Sequence, residues 1–323
     1  MDIWQSCRVG YILSIMDRFN QGGSEMFAGL NTDYLSGIGS PERWLRLTAE
    51  AGFTHLHWCH QWNTDFLYSR HEIAQYRSWL KTFGLKLLDI HGSAGAEKVW
   101  FSPEEYVRRA GVELVLNRVI LFAELEGTGS LMMHIPALRD GNRDSGEDRA
   151  LRRREFEALK RSLDELMPEL AKHHVCIAVE NTGFDSFEYI GELMESYPEE
   201  YLGITYDSGH GNFEAPRGLE HIERWKHRLQ ALHLNDNHGR EDQHQPPYYG
   251  TVDWERVAEI IAGSSYPGDR PLSFELSMRC TPFFNGELPE QPEAKIREFL
   301  LDARERCERV IRLTEQKRSM RRQ

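Results

Sequence analysis

No stretch of this chain approaches the roughly 20 consecutive apolar residues that cross a bilayer, so the sequence offers no transmembrane helix. Cysteine is scarce: five residues, scattered, with no close pair. That spacing argues against a disulfide framework or a thiolate zinc knuckle. Cys59 and Cys176 lie in apolar runs and read as inert core residues. A positive balance is missing too. The 39 basic residues against 51 acidic ones give −12, which disfavours a strongly basic nucleic-acid binder while leaving room for a local basic groove. Neither G-x-G-x-x-G nor G-x-x-x-x-G-K-[ST] occurs, so the glycine-rich cradles for nucleotide phosphates are absent. There is no low-complexity linker and no obvious close-range repeat. One domain over residues 1–323 is expected, with its folded part at about 9–316 and a basic, frayed tail at 317–323. The start, Met1 to Arg8, lacks a signal-peptide layout, and a cytoplasmic location is expected.

What the chain does have is alternation. Short, nearly continuous apolar runs read as strands buried on both faces: Val9–Ile15, Phe53–Trp58, Leu85–Ile90, Ser130–His134, Val175–Glu180, Leu202–Asp207, Leu229–Leu234 and Pro271–Glu275. Helical signals fill the gaps. Ser40-Pro41 reads as a cap with proline at the first helical position. Ser102 with Glu105 reads as a capping box. Asp148–His174 is long and amphipathic, and Pro168 should kink or divide it. Asp253 should cap a helix burying Trp254, Val257, Ile260 and Ile261, and Glu293–Thr314 reads as the last helix. Eight strand-then-helix units predict an α/β fold, a (β/α)8 TIM barrel. Two polar loops, Arg18–Ser40 and Arg139–Asp148, follow expected strands and are lid candidates.

Metal-ligating residues recur at the ends of these runs. Glu180, Asp207, His233 and Glu275 close the last four strands in order, with His210, Asp242 and His244 on nearby loops and His91 and His134 after earlier strands. In a barrel, strand ends face one mouth. Three carboxylates and one imidazole make a mostly hard site suited to Mn²⁺, Zn²⁺, Mg²⁺ or Co²⁺. His55, His57 and His60 flank Trp58 and read as structural histidines.

The segments Val179 to Gly183, Tyr206 to His210 and Leu232 to Asp236 resemble the xylose isomerase-like barrel superfamily, which includes ketose 3-epimerases, inosose-type isomerases and endonuclease IV. The stretch from Leu232 through Asp242, His244 and Gly250 to Trp254 is similar to a signature of its sugar phosphate isomerase/epimerase branch. By that resemblance, Glu180, Asp207, His233 and Glu275 hold one divalent ion, and His210 contacts the substrate. The resemblance also matches His91, His134, His210, Asp242 and His244 to the further ligands of the endonuclease's three-zinc cluster. It implies a small carbohydrate substrate and allows a homo-oligomer. One position departs: Tyr248 stands where relatives usually carry a second glycine before Gly250, which would reshape the pocket.

The expected activity is a metal-dependent sugar or sugar-phosphate isomerase/epimerase acting by proton transfer through an enediolate, with Glu180 and Glu275 as the proton-transferring pair. Trp62 and Arg240 are candidate substrate contacts beside His210. Trp58, Phe66 and Trp100 are further aromatic candidates for the pocket wall or the core. The alternatives are a multi-zinc phosphodiester hydrolase of the endonuclease IV type, a non-catalytic metal- or sugar-binding barrel, and a lyase or dehydratase using the same enediolate chemistry. For the hydrolase, the early loops offer Arg18, Arg70 and Lys98 but no basic cluster, and Asp17, Asp65 and Glu97 offset them.

Overall fold

Runs of three to six buried residues, rich in Leu, Ile, Val and Met, form the strands of a parallel sheet in the computed structural model, which describes residues 28–141, 143–213, 217–286 and 291–323. They are β1 (Ala28–Asn31), β2 (His55–Trp58), β3 (Lys86–His91), β4 (Leu131–Met133), β5 (Ile177–Glu180), β6 (Leu202–Asp207), β7 (Leu229–His233) and β8 (Leu272–Phe274). Their spatial order is β7-β6-β5-β4-β3-β2-β1-β8. The ring closes just past the named strands. The Leu234 amide donates to the Ser273 carbonyl at 3.0 Å, and the Glu275 amide donates to the Leu234 carbonyl at 3.2 Å. The helices are α1 (Glu42–Glu50), α2 (Arg70–Phe83), α3 (Glu105–Glu124), α4 (Gly146–His173), α5 (Glu188–Ser196), α6 (Arg217–Trp225), α7 (Trp254–Ala262) and α8 (Glu293–Arg322). This is the (β/α)8 barrel that the alternation predicts.

Seven of the eight expected strands are present. The expected strand Val9–Ile15 lies outside the described residues, and the strand that pairs with both β2 and β8 is Ala28–Asn31. That segment falls within the loop read as a lid. It escapes an apolar-run reading because the positions flanking Leu30 are Gly29 and Asn31. Asn31 is buried by bonding the backbone of Leu276 with both ends of its amide, at 2.8 and 3.0 Å. The remaining lid candidate is anchored at its base, where the Arg139 backbone forms an antiparallel bridge with that of Asp185 and the Asp144 carboxylate accepts from the Arg139 amide at 2.7 Å.

Other corrections are local. No capping box forms at Ser102: α3 starts at Glu105, and the Glu105 carboxylate is committed to Arg108 instead of reaching back. Boxes do form at Ser69 with Glu72 and at Ser145 with Asp148. Helix α4 is continuous through Pro168, because the proline and Asp164 four residues earlier are both exposed and water can take the freed carbonyl. Asp253 caps α7 as expected, accepting from the Arg256 amide at 3.0 Å. The basic C-terminal residues do not fray. They extend α8 to Arg322, with Lys317 paired to Glu255 at 2.8 Å and Glu259 at 3.1 Å. No helix among the described residues is long and apolar enough to cross a membrane.

Candidate metal centre

Strands β5 to β8 deliver their terminal acid or imidazole to one point. One ligand atom from each of Glu180, Asp207, His233 and Glu275 lies within 4.8 Å of the others, and all four side chains are buried. The parallel register places Asp207 directly beside His233. Nδ1 of His233 sits between two carboxylates, 2.5 Å from Glu180 Oε1 and 2.9 Å from Glu275 Oε2. The other oxygen of Glu180 faces His134 Nε2 at 2.7 Å. Asp207 is held rigidly: its carboxylate accepts from the His210 amide at 2.7 Å and from Asn235 Nδ2 at 2.8 Å, and its own amide donates to Asn181 Oδ1 at 2.8 Å.

The electrostatics follow from this packing. Burial opposes charge on Glu180, but His233 and His134 more than offset it and hold its carboxyl well below the usual range. Glu275 behaves likewise, with His233 and His244 outweighing burial. The two glutamates in turn hold the His233 ring well above the usual imidazole range, against the effect of burial. Asp207 goes the other way, pushed up to about 6, chiefly by burial. Three buried carboxylates thus meet one imidazole. Buried charge of this kind is found where it is paired or coordinates a cation. An oxygen-rich set with one ring nitrogen fits a divalent ion of the Mn²⁺, Mg²⁺, Co²⁺ or Zn²⁺ class.

The five further candidate ligands flank this centre in two groups. His91 and His134 share Glu180, while His210 and His244 share Asp207. Asp242 lies beside the second group, 3.4 Å from His210 Nε2. Its other oxygen is 3.0 Å from His244 Nε2, without the alignment of a hydrogen bond. His244 stands at φ 45°, a left-handed conformation imposed on a non-glycine residue.

Among the candidate substrate contacts, Trp62 packs its ring on His91 at 4.1 Å and donates from Nε1 to Asp33 Oδ2 at 3.1 Å. His210 is half-buried and borders a cavity of about 240 Å³ lined also by Asn181, Phe184, Asp185 and Phe213. Arg240 is exposed on its loop. Trp58 is core, its ring 4.9 Å from that of Tyr76, and Trp100 backs the centre by donating to the His134 carbonyl at 3.1 Å. Phe66 is half-buried against the core and meets His60 edge-on. Tyr248 does not reshape the centre: its ring lies under Arg309 of α8, 3.7 Å away, and beside Trp254. Its φ of 69° is the left-handed conformation that glycine adopts without cost.

Several residues were not legible as site residues. Asp33 follows β1, in a segment read as loop. Asp236 is an interior hub that organises the loop from Asn237 to Trp254. The pair of His57 Nδ1 and Asp89 Oδ1, 2.9 Å apart, joins β2 to β3 inside the barrel. The signal that could have found this pair was an aspartate interrupting the apolar run of β3.

The family profile described as xylose isomerase-like TIM barrel matches residues 45–308. An uncharacterised protein of Sinorhizobium fredii is 30% identical over 73% of this chain and 84% of its own length. A D-psicose 3-epimerase of Enterocloster bolteae is 24% identical over 63% of this chain and 66% of that protein. Among solved structures, that of an L-ribulose 3-epimerase superposes with a TM-score of 0.67 at 16% identity, covering 92% of this chain and 98% of the other. The barrel and the match over most of the chain agree: this protein belongs to the xylose isomerase-like TIM barrel family.

Proposed function

We propose that the chain is a divalent-metal-dependent sugar or sugar-phosphate isomerase/epimerase that moves a proton beside the substrate carbonyl. The observation that carries this reading is the placement of Glu180 and Glu275. They come from β5 and the end of β8 and approach one imidazole nitrogen from two sides, at 2.5 and 2.9 Å. Two fixed carboxylates flanking one point suit removal of a carbon-bound proton and its return at another face or carbon. Glu180, Asp207, His233 and Glu275 would hold the ion. When bound, it polarises the substrate carbonyl and stabilises the enediolate oxygens. His210, beside the cavity, would hydrogen-bond a substrate hydroxyl. Trp62, packed against His91, offers an aromatic wall for the apolar face of a sugar. The relatives named as a psicose 3-epimerase and a ribulose 3-epimerase support the carbohydrate class. A cytoplasmic location belongs to the same proposal.

The test is a panel of ketoses and inososes incubated in deuterium oxide with Mn²⁺ or Zn²⁺. Deuterium at the carbon beside the carbonyl supports the reading. No incorporation into any of them removes it.

One observation favours a second reading. The two flanking groups, at His91 and His134 and at His210 and His244, supply ligand sets for more than one ion. A multi-zinc phosphodiester hydrolase would use them to activate water and stabilise the leaving oxygen. Cleavage of abasic DNA without sugar exchange would select it.

A further inference from the structure

We propose a second cation site, built from His57, Cys59 and Glu275, that takes a zinc-type divalent ion and shares only Glu275 with the four-residue centre. His57 lies on β2 and Cys59 just beyond it, two residues apart, so strand alternation turns both to the same face. That face is the barrel interior, because His57 meets Asp89 of β3 and its ring centroid lies 4.2 Å from that of His233 of β7, the two rings tilted by 58°. One ligand atom from each of His57, Cys59 and Glu275 lies within 4.8 Å of the other two. His57 and Cys59 are completely buried, and Glu275 is nearly so.

The histidine carries the independent observation. Its Nδ1 lies 2.9 Å from Asp89 Oδ1, an oxygen that also accepts from Ser273 Oγ at 3.3 Å. A carboxylate there calls for a proton on Nδ1, which leaves the lone pair on Nε2. That nitrogen is buried and has no hydrogen-bond partner. A histidine tied by one nitrogen to a carboxylate, with the other nitrogen free, is the arrangement that metal-ligating histidines adopt.

The surrounding charge agrees. Asp33, Glu275 and Asp89 set negative charge around the Cys59 sulfur, which favours a cation there. The Sγ–H bond breaks, the proton leaves to solvent, and the thiolate lone pair binds the ion. Thiolate, imidazole and carboxylate together are the zinc-type set, softer than the four-residue centre. Glu275 can serve both sites. Its Oε2 faces His233, much as Glu180 divides its two oxygens between His233 and His134. The inference rests on this geometry alone and stands whether or not the sugar reading does.

The experiment is titration of the metal-free, full-length protein with Co²⁺, read by absorption. Every other candidate ligand is nitrogen or oxygen, so a near-ultraviolet thiolate-to-cobalt charge-transfer band reports a cysteine. The band is expected in the unaltered protein and lost in Cys59→Ser, while the visible cobalt bands of the four-residue centre persist. His57→Gln should raise the cobalt concentration needed for the band at least tenfold. Should Cys59→Ser misfold by circular dichroism, X-ray absorption on the unaltered zinc protein decides instead, with a sulfur neighbour expected at about 2.3 Å. A cobalt-saturated protein with no charge-transfer band, a band that survives in folded Cys59→Ser, or a zinc shell without sulfur overturns the site.

Discussion

Nδ1 of His233 lies 2.5 Å from Oε1 of Glu180, two side chains 53 residues apart in sequence. The contact joins the ends of β5 and β7 across β6, and Glu275 approaches the same nitrogen from beyond β8 at 2.9 Å. Charge of both signs is thus concentrated where the proposed reaction needs it, and the sharpest predictions concern these residues.

Glu180→Gln and Glu275→Gln should each lower solvent–substrate proton exchange by about 10²- to 10⁴-fold while the circular dichroism spectrum stays unchanged. The amide keeps the shape but cannot take the proton. Near-normal exchange in either variant would remove that residue from proton transfer.

Chelation should abolish exchange, and added Mn²⁺, Zn²⁺ or Co²⁺ should restore it. Loading should also raise the unfolding temperature, since an ion at 100 times its dissociation constant stabilises the native state by about 2.7 kcal/mol. A protein whose exchange and melting ignore the chelator would contradict the metal centre.

Trp62→Ala should raise KM about 2- to 12-fold and change kcat less, from loss of an aromatic wall worth about 0.5–1.5 kcal/mol. Arg240→Ala, at an exposed position, should change KM by less than about twofold. Steady-state kinetics on whichever ketose exchanges would check both, and the reverse ranking would redraw the pocket.

Burial pushes the Asp185 carboxyl from 3.8 up to about 7. Between those values the native state keeps a proton that the unfolded chain has lost. The Asp185 contribution to stability is therefore fully present below about 4, falls as pH rises to about 7, and is constant above. Asp185→Asn lacks that titration, so the variant should gain on the unaltered protein between pH 5 and pH 8 in urea unfolding. A gap independent of pH would show that Asp185 titrates normally.

Asp236 is fully buried, and its carboxylate accepts four hydrogen bonds. Oδ1 takes the amides of Asn237 at 2.9 Å and Val252 at 3.0 Å, and Oδ2 takes the amide of Tyr248 at 2.8 Å and Trp254 Nε1 at 3.0 Å. Asp236→Ala would strand all four donors, at a cost of about 3–5 kcal/mol. The urea midpoint should drop accordingly, and a loss under 1 kcal/mol would mean that water replaces the carboxylate.

Most of the barrel was legible because strands buried on both faces leave apolar runs that are hard to mistake. Strand β1 was not, since Gly29 and Asn31 interrupt its run and Asn31 is buried by bonding backbone 245 residues away. The helix ends divided similarly. Asp253 capped as its local pattern implies, whereas Glu105 was drawn to Arg108 and the box at Ser102 did not form. In α8, Lys317, which looked like part of a loose end, found acidic partners in Glu255 and Glu259 of α7.

From the sequence alone came the candidate ligand types, their position at strand ends and the direction in which those ends point. Alternation with period two tells which face a side chain occupies, and strand polarity tells which rim. Neither tells distance. Closure of the ring between Leu234 and Ser273 brought Glu275 to His233, and contact across the interior paired His57 with Asp89. Those meetings belong to tertiary structure because they depend on how far a closed sheet carries one strand around to another, a quantity no local pattern encodes.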